Sequence, residues 1–191
     1  MAEKKPRRVL IAHGSPRRKG NSAVLAARIA AGAKAAGAEA ETVHLHRMNI
    51  RPCTACNACK GHIETDCVLD DDMRELYPKL RAADAIVVAS PIYFFTVSAQ
   101  TKLFVDRWYA LGDERDYALR GKRIAIALTY ADPDPFVSGA VNAIRMFQDA
   151  CGYMGAEFAG MVYGSAWEAG EIRKNRALLK KARELGKALA S

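Results

Sequence analysis

No stretch of the 191 residues approaches the roughly 18 uninterrupted apolar side chains of a membrane-spanning helix. The basic opening MAEKKPRR resembles the start of a secretory signal, but the apolar run after it covers only residues 9–12 and is far too short for a signal core. A soluble, cytoplasmic protein with no membrane partner is expected. Scattered cysteines are also missing. Four of the five lie within fifteen residues and Cys151 stands apart, which argues against a secreted disulfide scaffold.

Several catalytic signatures are absent too. The glycine-containing loop at residues 14–20 has five residues between its glycines and is followed by Asn21, so it is not a Walker A loop, and G-x-G-x-x-G does not occur there either. No Ser–His–Asp set and no paired carboxylates with hydrolase logic can be made out. Acidic residues are too few to balance the basic ones, leaving a net charge of +8. The excess is densest at residues 4–19 and 173–187. No nucleic-acid recognition motif accompanies it, so nucleic acid is not expected as a partner. Solvated helix faces or anionic ligands account for the charge.

What is present is an alternation of strand and helix from end to end. Residues 8–12 (RVLIA), 39–45 (EAETVHL), 85–89 (AIVVA), 123–129 (RIAIALT) and 157–163 (EFAGMVY) read as strands. Residues 21–37, 71–82, 98–111, 136–153 and 175–190 read as helices, with Ser98 as an N-cap and acidic residues at the start of the second. Residues 46–70 lack any period and form a loop insertion carrying the cysteines. Half the residues are apolar, enough for a full core, and one domain over residues 1–191 is expected. Five βα units predict a three-layer α/β sandwich around a five-stranded parallel sheet of order 2-1-3-4-5. Ligands of such sheets bind beyond the carboxyl ends of the strands, so the loops after strands one, three and four should carry the chemistry.

The first of these loops, His13 to Ser22, leaves a strand and opens a helix. Its backbone N–H groups, the hydroxyls of Ser15 and Ser22, and the forked donor of Arg17 suit a single terminal phosphate. An ordinary polar turn is the alternative. The second loop holds Tyr93, Phe94 and Phe95 in succession. Such aromatics need a cover: a flat ring, the cysteine loop or another subunit. In the third loop, Tyr130 could cover the opposite face of a bound ring or simply pack in the core.

Cys53, Cys56, Cys59 and Cys67 follow the spacing C-x2-C-x2-C-x7-C. A compact turn can aim the first three sulfurs at one centre, as iron–sulfur clusters require and zinc sites less often do. Free or oxidised thiols are the third option. Cys151 reads as a buried, inert thiol. His13, His44, His46 and His62 share no spacing, and His62 is expected to face solvent. Asp106 and Arg107 read as a surface or interface ion pair.

Together GSPRRKGNS (residues 14–22), PCTACNAC (52–59), CVLDDDM (67–73) and ADAIVVASPIYFFTVSAQTKLFVDR (83–107) resemble the flavodoxin-like NAD(P)H-dependent FMN reductases, and among them the iron–sulfur flavoproteins. The resemblance implies that Ser15, Arg17, Asn21 and Ser22 hold the FMN phosphate and that Pro91, Ile92, Tyr93 and Phe94 lie along the ribityl chain and ring. It further implies a 4Fe-4S cluster on Cys53, Cys56, Cys59 and Cys67. The expected activity passes electrons from NADH or NADPH through FMN to a flavin, quinone or iron–sulfur acceptor. An FMN and cluster carrier working between protein partners, without nucleotide oxidation of its own, is the alternative. A homodimer or homotetramer is expected, since a second chain often shields a flavin held by one small domain.

Overall fold

The computed structural model describes residues 5–60, 66–112 and 116–191. Lys4 and His62 lie outside the described residues.

Five parallel strands form the central sheet: β1 (Arg8–His13), β2 (Glu39–His44), β3 (Ala85–Tyr93), β5 (Arg123–Tyr130) and β6 (Glu157–Ser165), in the order β2-β1-β3-β5-β6. A two-residue strand, β4 (Thr96–Val97), folds back antiparallel onto the end of β3. Without that hairpin the order is the expected 2-1-3-4-5. β1, β3 and β5 are buried on both faces, which is why they read as unbroken apolar runs.

Alternate strand residues feed two cores. Val9, Ile11, Val87 and Ala127 pack under α1 (Asn21–Ala35) and α5 (Arg176–Ala190). Leu10, Ile86, Val88 and Ile126 pack under α2 (Met73–Ala82), α3 (Ala99–Asp106) and α4 (Ala140–Met154). α1 and α5 approach closely because Gly32 and Gly186 sit at their contact, where a Cβ on either would collide with the other helix's backbone.

Helix starts follow local hydrogen bonding. Ser98 Oγ accepts from Thr101 N–H and caps α3, and Asn175 caps α5 through Leu178 N–H. α4 begins at Ala140, later than the expected residue 136. Asp132 and Asp134 bend the preceding chain by accepting the N–H groups two residues on, at 2.8 Å each. α3 gives way at Arg107 to a 3-10 turn, Arg107–Leu111.

That turn overturns the reading of Asp106 and Arg107 as a surface pair. Arg107 is 1% exposed, and its guanidinium forks onto Asp71, with Nη1 2.5 Å from Oδ2 and Nη2 3.2 Å from Oδ1. Asp106 faces out to Lys102 instead. The tighter turn swings the side chain at 107 inward.

Candidate functional site

The β1–α1 loop rests on buried hydroxyls. Gly14 N–H donates to Ala89 O at 2.8 Å, and Gly14 O accepts from Ser98 Oγ at 2.7 Å. A Cβ at Gly14 would collide with Thr101, so only glycine lets the loop lie this close. Ser15 Oγ accepts from Arg17 N–H at 3.1 Å and fixes the turn. α1 then begins after Gly20, whose extended backbone supplies no side-chain cap. A helix start of this kind leaves N–H donors for an anion.

The loop opens into a cleft of about 430 Å³ at the carboxyl ends of β1, β3 and β5. Ser15, Arg17, Asn21 and Ser22 line one side, Pro91, Ile92 and Tyr93 another, and Tyr130 a third. Phe94 does not line it. The residue is 95% exposed at the hairpin tip. Asn21 lines the cleft, but its side chain is occupied. Its amide N–H groups donate to Ala166 O and Glu168 O, at 3.2 and 3.0 Å, and its oxygen accepts from Ile172 N–H at 3.2 Å. Asn21 thus braces the loop after β6.

Ser22 is buried, with Oγ 3.4 Å from His13 Nε2, and His13 Nδ1 lies 3.3 Å from His44 Nδ1. Burial, aided by His44, pushes the His13 pKa down to about 4. His44 is also lowered, by burial and then by Arg18 and Arg47.

Phe94 and Phe95 form the two-residue turn between β3 and β4, with φ of 47° and 71°. Turns of this kind favour Asn-Gly, and bulky side chains there are strained. Asn142 Nδ2 holds the strained pair by donating to Phe95 O at 3.1 Å. Replacing Phe94-Phe95 by Asn-Gly is expected to raise stability by about 1–2 kcal/mol. Urea unfolding checks this, and an unchanged or lower midpoint would refute the strain.

The cysteine loop shows a repeated local design. Ala55 and Asn57 adopt left-handed backbones, with φ of 53° and 56°. Cys53 Sγ accepts from Ala55 N–H at 3.4 Å. Ala58 N–H, and then the Thr54 side chain, hold the Cys56 thiol below its ordinary pKa. Burial pushes Cys59 up; Lys60 opposes this, while Cys67 and Cys53 add to it as nearby negative charges. Lys60 ties the loop to the 3-10 turn by donating to Tyr109 O and Gly112 O, at 2.8 and 2.5 Å, with its ammonium 3.7 Å from the Tyr109 ring centre. The five cysteines are free, Cys151 being buried and the other four wholly or partly exposed. Among the described residues, no group of three or more His, Cys, Asp or Glu side chains is gathered as a metal site. The donor chemistry suits a thiolate centre: left-handed turns aim N–H groups at sulfur, and Cys53 and Cys67 are electrostatic neighbours of Cys59.

The family model for NADPH-dependent FMN reductase matches residues 7–158. The chain belongs to the NADPH-dependent FMN reductase family. It is 31% identical over 184 residues to an iron-sulfur flavoprotein of Archaeoglobus fulgidus, covering 93% of this chain and 76% of that one. It is 40% identical over 109 residues to an iron-sulfur flavoprotein of Methanosarcina thermophila, but that match spans only 57% of this chain and 56% of the relative. A solved NAD(P)H:quinone oxidoreductase from Methanothermobacter marburgensis shares the fold, with a TM-score of 0.75 at 20% identity over 97% of this chain and 98% of that one.

In this member of the NADPH-dependent FMN reductase family, an oxidoreductase family, the cleft has a wall that sequence reasoning missed. The loop after β6 contributes Ala166, Trp167, Glu168 and Ala169. Trp167 is 74% exposed there. A tryptophan in a polar stretch just beyond a strand was the available signal.

Proposed function

We propose that residues 1–191 form one cytoplasmic FMN-binding domain that oxidises NADH or NADPH and passes the electrons to a flavin, quinone or iron–sulfur acceptor. The carrying observation is the uncapped start of α1 opening, beside Ser15, Arg17 and Ser22, into a cleft walled by Pro91, Ile92, Tyr93 and Tyr130. On this reading Arg17, the two hydroxyls and the first-turn N–H groups take the phosphate. Asn21 serves by holding the 166–169 wall in place. The backbone at residues 91–93 meets the ring edge, and Tyr130 limits the cleft on its far side. FMN, when bound, supplies the hydride acceptor and can release electrons singly. No side-chain acid or base is needed at the ring, and none is assigned.

Cys53, Cys56, Cys59 and Cys67 would hold a 4Fe-4S cluster, which supplies a one-electron port beside the flavin domain. The Ala55 and Ala58 N–H groups would offset negative charge on its sulfurs. Phe94 and Phe136, 95% and 75% exposed, lie in the turn of the β3–β4 hairpin and in the β5–α4 connection, which suits burial against a second copy in a homodimer or homotetramer.

The test is anaerobic purification followed by addition of NADPH or NADH. We expect bound FMN, bleaching of its visible band by at least one nucleotide, and iron with acid-labile sulfide in equal amounts. Cys56→Ser should lose the iron and keep the flavin. Bound flavin that neither nucleotide reduces would favour the electron-carrier reading, zinc without sulfide would remove the cluster, and a flavin-loaded monomer in sedimentation would remove the assembly.

A further inference from the structure

The carboxyl ends of β1 and β2 lie side by side, with His13 and His44 in register. Both face the layer that holds α1, since Val9 and Ile11 of the same strand pack there. His13 is 1% exposed, and among the described residues its ring has two hydrogen-bond partners: His44 Nδ1 at 3.3 Å and Ser22 Oγ at 3.4 Å. His44 is only half-buried and has Arg18 and Arg47 for charged neighbours. Ser22 borders the cleft. A chain of three groups therefore runs from the β2 edge to the anion end of the site.

Each link needs one donor and one acceptor, which leaves two consistent settings for a neutral His13. In the first, the Ser22 hydroxyl donates to His13 Nε2, and His13 Nδ1–H donates to His44. The cleft then meets only lone pairs of the serine oxygen, and these repel an anion. In the second, His44 Nδ1–H donates to His13 Nδ1, and His13 Nε2–H donates to Ser22 Oγ. The hydroxyl proton is then free to point into the cleft.

We propose that His13, backed by His44, is a positioning residue that switches tautomer to make the Ser22 hydroxyl a donor to the phosphoryl group of the bound flavin nucleotide. The inference rests on the FMN reading above. It makes the relay a specificity device, because riboflavin, with the same ring and no phosphate, gains nothing from it. Burial keeps His13 neutral, so the device works by moving protons between ring nitrogens without placing a charge there.

The experiment is nitrogen NMR of the full chain with labelled histidine, alone and with FMN, riboflavin or inorganic phosphate. With FMN bound, His13 is expected to carry its proton on Nε2 and leave Nδ1 bare, while riboflavin leaves the free-protein pattern unchanged. His13→Leu is expected to weaken FMN about tenfold or more relative to riboflavin, as loss of a hydrogen bond to a charged group implies. His13→Gln, whose amide can still donate to Ser22 Oγ, should recover most of that ratio. A proton on Nδ1 in the FMN complex would overturn the proposal. So would equal losses for FMN and riboflavin, which a merely structural histidine would produce. Should the natural protein bind neither flavin, the FMN reading fails and inorganic phosphate decides the relay: a shift of the proton to Nε2 on its addition retains it, and no shift removes it.

Discussion

Replacing Arg107 by methionine is expected to cost about 3–5 kcal/mol of folding stability, because it leaves a buried carboxylate without its cation. Asp71 has its side chain wholly buried, and burial alone would raise its pKa. The guanidinium of Arg107, with the N–H groups of Arg51 and Met73, outweighs that and holds it below the ordinary carboxylate range. Arg107 Nη1 also donates to Arg51 O at 2.8 Å, while Asp71 Oδ2 accepts from Arg51 N–H at 2.9 Å. The pair therefore clamps residue 51 to residue 71, the two ends of the segment that carries Cys53, Cys56, Cys59 and Cys67. Removing both charges with Arg107→Met and Asp71→Leu should recover most of the stability, since neither buried charge then stands alone. The mouth of the loop would still be loosened, so on the proposed cluster and FMN reading iron content should fall in the double variant while bound flavin stays. Urea unfolding and iron analysis read the two effects separately. A single variant that loses less than about 1 kcal/mol would show that the pair is not the clamp.

The same short helix serves both ends of the proposed electron path. At its start, Ser98 and Thr101 support Gly14 and hence the anion-facing loop. Just beyond its end, Arg107 secures the cysteine segment. α3 is one rigid element with a hydroxyl cluster at one end and a buried cation at the other. A shift of either end moves the two candidate cofactor sites relative to each other, which gives a physical reason for spending a buried ion pair here. Such pairs seldom add net stability over apolar packing, but they fix geometry, and the separation between the two candidate sites is a geometric quantity.

Much of the architecture was legible because its signals are local. The apolar runs at residues 85–89 and 123–129, the cap at Ser98, and the glycine-bounded first loop each announce themselves within a few residues. The cleft walls at Ser15 and Tyr93 follow from strand order alone, since ligands of such sheets gather beyond the strand ends. What escaped depends on distant partners. The burial of Arg107 is decided by Asp71, 36 residues away, and by a change from α to 3-10 geometry that no periodicity reveals. The side-chain contacts of Asn21 are likewise set far along the chain, by Ala166 and Glu168, about 150 residues later. Phe94 sits in a turn whose left-handed backbones no residue type there announces, and it is exposed outside the cleft lining. His13 carries no motif at all. Its role arises from the register of two strands and the first turn of a helix.

That register leads to an acid sensitivity. His13 has a pKa of about 4 in the folded protein, against an ordinary 6.5. The unfolded chain therefore takes a proton there as the pH falls through 6.5, while the folded chain refuses it until about pH 4. Above pH 7 the residue contributes no pH dependence. Below 6.5 stability falls, and the full difference amounts to about 3 kcal/mol by the time the folded group titrates. His44, lowered in the same direction, adds to the slope, and Asp71, whose folded pKa is depressed, adds a further loss at more acid pH. These contributions are separated by His13→Gln, which cannot titrate but can still bridge Ser22 and His44. Unfolding free energies at pH 7.5 and pH 4.5 should differ by about 2–3 kcal/mol less in this variant than in the natural protein. Parallel pH profiles for the two proteins would mean that His13 takes up a proton in the folded state near its ordinary pKa. The neutral ring that the relay to Ser22 requires would then be lost.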